Sequence, residues 1–153
     1  MHEETQFSIF LVNKPGVLAA VTGALAKARI NIVALTLMDS AEHGVLRLVT
    51  DNCQEARGVL GQAHDQWTES QVLVMELRNR PGAFAQVAKT LASQHVNIAY
   101  AYCTGGASGG RTTAVFKVAD IKKAMKLFQA KAPKTNKKAA KTVRGTPGRS
   151  RRE

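Results

Sequence analysis

Apolar positions along this chain fall into a pattern that occurs twice. Residues 7–12 and 72–77 are short and nearly continuously apolar, as in strands covered on both faces. A proline follows each run, Pro15 and Pro81, where its fixed φ suits the first turn of a helix. Leu18, Val21 and Leu25 then recur three and four apart, as do Phe84, Val87 and Leu91, which predicts one helix with an apolar face in each case. Asn31 and Asn97 stand where those helices should stop, and asparagine tolerates the left-handed conformation that closes many helices. Strand-like runs follow at 32–38 and 98–103, then glycine-containing links at 39–44 and 104–110, then strands at 45–50 and 112–118, so each half contains a hairpin. A second helix per half is predicted from Ala56, Val59, Leu60 and Ala63, and from Ile121, Ala124, Met125 and Phe128.

The recurrence is specific. Asn13-Lys14-Pro15-Gly16 aligns with Asn79-Arg80-Pro81-Gly82 at an offset of 66, and the same offset carries Asn31-Ile32 onto Asn97-Ile98 without a gap. Ala19, Val21, Leu25 and Ala26 recur between those anchors as Ala85, Val87, Leu91 and Ala92. Two long copies are better explained by a duplicated small domain than by a solenoid, which needs more and shorter repeats. Strand, helix, strand, strand, helix, strand is the split βαβ or ferredoxin-like order, with an antiparallel sheet and both helices on one face. The predicted class is therefore α+β, with modules at residues 1–70 and 71–130 and a basic tail at 131–153. Residues 67–70 supply a closing fourth strand for the first copy, whereas the second runs from its last helix into the tail, its fourth strand missing or formed otherwise. A bare edge or sheet face would be relieved by pairing the copies edge to edge or by dimerisation.

Charge changes this picture only at one end. The formal net charge of +11 is uneven: residues 1–130 hold 13 Lys and Arg against 10 Asp and Glu, while residues 131–153 hold nine against the single acid Glu153. That tail has no aromatic residue, so it is expected to be disordered, either as a solvated solubility tail or with weak, salt-sensitive contact to nucleic acid or another acidic surface, and it offers no platform for stacking bases. A nucleic-acid-associated protein with the repeats as a dimerisation scaffold is the alternative reading. No apolar run nears the roughly 18 residues needed to cross a bilayer, and the polar Met1-His2-Glu3-Glu4 is unlike a secretory leader, so a soluble cytoplasmic protein without membrane contact is expected.

Candidate chemistry is sparse. Cys53 and Cys103 have no metal-ligand spacing, which leaves reduced structural thiols. His2, His43, His64 and His95 are scattered, with no ligand pair and no nucleophile-base grouping, so neither catalysis nor a metal or cofactor is expected. The glycines at 105–110 join two strands and lack the Lys-Ser/Thr and following helix of a phosphate-binding loop, which reads as a mobile hairpin.

The repeated Asn-Lys/Arg-Pro-Gly, short helix and Asn-Ile resemble the ACT domain family, regulatory amino-acid-binding modules of biosynthetic enzymes, here as a stand-alone tandem pair without a catalytic domain. The resemblance implies a free amino acid as ligand at the turn between first strand and first helix, often completed by a neighbouring module. It further implies a homodimer and a regulated metabolic enzyme as partner. The implied contacts are Asn13, Lys14, Pro15, Gly16, Val17 and Leu18 with Asn31 and Ile32 in the first copy, and Asn79, Arg80, Pro81, Gly82, Ala83 and Phe84 with Asn97 and Ile98 in the second. The physics agrees: unpaired N–H groups at a helix start favour a carboxylate, and turn oxygens can take an ammonium. Gly16 and Gly82 would let a ligand approach the backbone, and Ile32 and Ile98 would wall its side chain. Many family members carry aspartate where this chain has Asn13 and Asn79, and a neutral amide lacks the charge attraction for an ammonium. With copy two short of a fourth strand, two related but unequal sites are expected.

Overall fold

The computed structural model describes residues 1–38, 43–63 and 66–131, with residue 131 described for its backbone only. Strands β1 (His2–Val12), β2 (Ile32–Met38), β3 (His43–Thr50), β4 (Trp67–Arg78), β5 (Ile98–Cys103) and β6 (Arg111–Val118) form one antiparallel sheet in the order β2-β3-β1-β4-β6-β5. Helices α1 (Val17–Lys27) and α2 (Cys53–Ala63) belong to the first copy, α3 (Ala83–Ala92) and α4 (Ile121–Lys131) to the second. Both copies have the predicted element types in the predicted order. The tail beyond residue 131, and residues 39–42 of the first hairpin, lie outside the described residues.

The two copies pair edge to edge in one sheet, as one of the two expected reliefs for a bare edge, and β1 and β4 each serve both copies. Residues 67–70 and 72–77, which read as separate strands, are continuous as β4, so the boundary at 70/71 falls inside a strand. The start of β4 pairs with β1 as the fourth strand of copy one. The start of β1 (His2 to Thr5, opposite Val74 to Gln71) fills the same place in copy two. Thr5 and Gln71 are equivalent under the 66-residue offset and face each other directly, with Gln71 Nε2 donating to Thr5 Oγ1 at 3.3 Å. They mark a pseudo-two-fold axis through the sheet. The hairpins obey it too: β2–β3 and β5–β6 each shift register once, between Ile32 and Ala34 and between Ile98 and Tyr100.

Alternation along β1 and β4 sends side chains to two different interiors. Phe7, Ile9 and Leu11 pack under α1 and α2 with Val21, Leu25, Leu46, Leu48 and Leu60. Trp67 joins this cluster edge-to-face on Phe7, with ring centroids 5.5 Å apart, and two residues on Glu69 takes a two-pronged bond from Arg57 of α2 at 2.5 and 2.7 Å. Leu73 and Met75 lie under α3 and α4 with Val87, Leu91 and Phe116. The face turned away from the helices is folded on itself, so that Ala34 and Val49 of copy one meet Val72, Val74 and Val115 of copy two.

One polar cluster crosses that second interior. Gln6 is fully buried; its Nε2 donates to Tyr100 Oη at 2.6 Å and its Oε1 accepts from Tyr102 Oη at 3.0 Å, while the Arg47 guanidinium lies 4.2 Å over the Tyr100 ring. Burial, and then the neighbouring Tyr100, hold the Tyr102 phenol well above its usual range. A phenol whose pKa is raised on folding adds full stability below its unfolded value of about 10 and loses it as pH rises from there. Denaturation midpoints measured from pH 8 to 12 should fall steeply above about pH 10 in the wild type and less steeply in Tyr102→Phe.

The first helices end earlier than the asparagines suggest. The left-handed residues are Arg29 and His95, at φ 60° and 54°, not Asn31 and Asn97. Arg29 N–H donates to Ala26 C=O at 2.9 Å and Ile30 N–H to Leu25 C=O at 3.0 Å, a Schellman closure repeated by His95 and Val96. Ile30 and Val96 are buried, and returning that apolar side chain to the core fixes the reversal at the residue before it. Asn31 and Asn97 instead use their carbonyls to accept from Asp51 and Ala119 N–H after β3 and β6.

Candidate functional site

The two strand-to-helix turns are built alike from the backbone up. Lys14 N–H returns to Val12 C=O and Arg80 N–H to Arg78 C=O, both at 2.9 Å, then Ala20 N–H reaches Gly16 C=O and Gln86 N–H reaches Gly82 C=O, again at 2.9 Å. Gly16 and Gly82 are the N-caps, with φ of 90° and 84°. A side chain at either would be strained by that φ, although an added Cβ would meet nothing within 4 Å. Backbone conformation, and not packing, demands glycine here. No side chain caps α1 or α3, and neither first turn carries an acidic residue, so both helix starts keep their positive partial charge.

Around the first turn the chain leaves a cavity of about 240 Å³. Asn13, Lys14, Val17 and Leu18 line it, as the sequence suggests, together with Leu11 and Val12 from the end of β1. Leu37, Met38 and Gly44, from the end of β2 and the start of β3, complete the wall. The contacts expected from the sequence included none of Leu11, Val12, Leu37, Met38 and Gly44. β2 runs parallel to β1, both being antiparallel to β3, so the end of β2, not its beginning, stands beside the turn. Asn31 and Ile32 lie at the other end of α1, about 16 Å away for an 11-residue helix. The structure does not bring them to the turn within one chain.

Copy two arranges the same parts differently. Asn79 donates through its side-chain amide to the carbonyls of Gly106 and Ala107, at 2.6 and 3.1 Å, and its backbone exchanges bonds with Gly110 and Gly109. Phe84, equivalent to Leu18, stacks on Phe116 with centroids 4.9 Å apart. A cavity of about 510 Å³ includes Arg80 and Ala83 but lies on the α4 side of the turn, toward Met75, Val87 and Phe128. Asn97 and Ile98 border a separate hollow of about 460 Å³ with His95 at the far end of α3. Neither hollow is lined by Asn79.

Among the described residues there is no group of three or more His, Cys, Asp or Glu placed to hold a metal ion. Cys53 packs against the core of copy one, and Cys103 is exposed. No helix of the described residues is long and apolar enough to cross a membrane.

Comparison with solved structures and family models places this architecture. The chain is 31% identical to protein BT0572 from Bacteroides thetaiotaomicron, with a TM-score of 0.77 over 84% of this chain and 88% of that one. It shares its fold with the ligand-free regulatory subunit of aspartate kinase from Thermus thermophilus, at 16% identity and a TM-score of 0.61 over 84% and 91% of the two chains. The regulatory subunit of aspartate kinase from Thermus flavus matches at 20% identity and 0.54 over 85% and 93%. No curated protein sequence matches the chain. The family model described as an ACT domain pair matches residues 3–135, spanning both copies, and the chain belongs to that regulatory family.

Proposed function

We propose that this ACT domain pair is an amino-acid sensor: a free amino acid with an aliphatic side chain occupies the turn of copy one and thereby controls a metabolic enzyme. The observation that carries this reading is the cavity lined by Asn13, Lys14, Val17 and Leu18, where an uncapped helix start adjoins an apolar wall of Leu11, Val12, Leu18, Leu37 and Met38. The N–H groups at the head of α1 suit a carboxylate, and the Asn13 amide and turn carbonyls suit an ammonium. The apolar wall favours an uncharged side chain, because a charged one would lose its hydration without a partner.

A second copy of the chain completes the site in this reading. The turn and the Asn31-Ile32 segment sit at opposite ends of α1, so one pocket using both must draw them from two chains. Edge strand β2 carries exposed Leu35, Leu37 and Met38 beside the cavity, an apolar edge suited to a homodimer. Occupancy would favour one arrangement of copies and so pass to a bound enzyme. The regulatory subunits of aspartate kinase, whose fold the chain shares, point to an enzyme of amino-acid metabolism as that partner, met in the cytoplasm. The role is regulation, not catalysis.

A thermal-shift screen of the twenty standard amino acids tests this. A native-state ligand at a hundredfold excess over its Kd adds about 2.7 kcal/mol, which for a chain of this size raises Tm by roughly 5–10 °C. Leucine, isoleucine, valine or methionine should give that shift and aspartate and lysine should not. No shift with any amino acid at millimolar concentration would sink the sensor reading.

A further inference from the structure

We infer that copy two holds a second binding site, in which an aromatic monocarboxylate lies between the sheet and helices α3 and α4. The inference does not depend on the sensor reading above, because it concerns another cavity and another class of ligand.

The repeat shows where the space comes from. Under the 66-residue offset Trp67 of copy one is equivalent to Met1, and its edge-to-face partner Phe7 to Leu73. Trp67 lies opposite Ile9 in the pairing of β1 with β4. Met1 precedes His2, which lies opposite Val74, and so stands beside Met75, the equivalent of Ile9. The Trp67 side chain packs against the core of copy one, where Ile9 and Val21 are 0% and 1% exposed. Their counterparts Met75 and Val87 are 8% and 6% exposed, and Met1 is 40% exposed. Copy two thus has a leucine and an unbranched thioether where copy one has an aromatic pair, and the cavity of about 510 Å³ adjoins Met1, Met75, Val87 and, on α4, Phe128. That volume lies within the range of small-molecule sites, about 300–1,000 Å³.

The polar groups select the sign of the ligand. Arg78 and Arg80 line the cavity, and α3, uncapped and without an acid in its first turn, begins there at Ala83. Glu76 is the only carboxylate among the described lining residues, and it is held in an ion pair with Arg111. An anion therefore meets guanidinium donors and the positive end of a helix, whereas an ammonium would meet two cations. The two arginines also disfavour the lysine- and arginine-rich segment that follows α4 in sequence as an occupant. On the apolar side an aromatic ring would fill the volume that the Trp67 side chain takes in copy one, against methionine sulfur and the Phe128 ring.

The test is titration of the full chain, isotope-labelled at the methionine methyls and carrying no added N-terminal residues, with indolepropionate and separately with tryptamine. The two compounds share a ring and differ in the sign of their charge. Met1 and Met75 line this cavity, whereas Met38 lines the cavity at the first turn. The expected result is saturable binding of indolepropionate that moves the Met1 and Met75 signals and leaves Met38 in place, with tryptamine at least about tenfold weaker. Arg80→Gln, at an exposed position, should weaken indolepropionate at least about fivefold and leave tryptamine no weaker. No binding at millimolar indolepropionate, equal affinity for the two compounds, or movement of Met38 without Met1 and Met75 overturns the inference. So does unchanged affinity in an Arg80→Gln chain that melts like the wild type. Leucine is expected to move Met38 instead, so failure of the sensor reading and failure of this inference are read from different signals.

Discussion

Residues 66–131 produced without the first copy are expected to give no cooperative unfolding transition, although they contain every helix and hairpin of copy two. The fragment keeps α3, α4, β4, β5 and β6, yet it lacks β1, which pairs with β4 from His2 opposite Val74 to Ile9 opposite Trp67. It also lacks Ala34 and Val49, which cover Val72, Val74 and Val115 on the face away from the helices. Those three valines are at most 2% exposed in the whole chain. Full burial of each contributes about 1.5–3 kcal/mol, so together they represent about 5–9 kcal/mol, comparable with the entire stability of a small domain. Circular dichroism and urea titration of the fragment check this directly, and a sharp transition near that of the full chain would mean that the copies are independent units. The same reasoning gives the intact chain a single transition in which both halves unfold together.

Phe7→Ala is expected to cost about 3–5 kcal/mol, among the largest effects of any single substitution. Phe7 is fully buried on a central strand, under both helices of copy one and against Trp67, which copy one receives from the shared strand β4. Truncation leaves a void that rigid strands on either side cannot close. Phe10, three residues on and facing the opposite way, is 45% exposed, and its replacement by alanine should cost less than about 1 kcal/mol. The contrast is read from urea midpoints at constant m-value. Equal losses at the two positions would contradict the assignment of faces along β1.

The duplicated anchor residues made the module legible because proline, glycine and asparagine report backbone conformation, which is local. Gly16 and Gly82 sit at positive φ in matching turns, and the three-and-four spacing of Leu18, Val21 and Leu25 lies on the face of α1 that meets the sheet. Long-range pairing left weaker traces. Residues 67–70 and 72–77 read as separate strands, yet Glu69, Ser70 and Gln71 each have a place in one continuous β4: Glu69 holds Arg57, Ser70 lies opposite Gln6, and Gln71 meets Thr5 on the axis. Helix closure was legible in kind but displaced by two residues, since the buried Ile30 and Val96, not the asparagine amides, set the point of reversal.

The candidate site was half legible for the same reason. Its floor, Asn13, Lys14, Val17 and Leu18, belongs to one contiguous motif, whereas Leu37, Met38 and Gly44 arrive through strand order. The expectation of unequal copies was drawn from the tail and a missing fourth strand. The structure supplies that strand from β1.

Amide chemical-shift mapping, with the stabilising amino acid titrated into the isotope-labelled full chain, tests the central claim most directly. The expected result is that the largest shifts fall on Gly16, Val17 and Leu18 and on Leu37, Met38 and Gly44, with the equivalent Gly82, Ala83 and Phe84 nearly unmoved. Largest shifts at residues 82–84, or at 95–98, with the first turn unmoved, would contradict it.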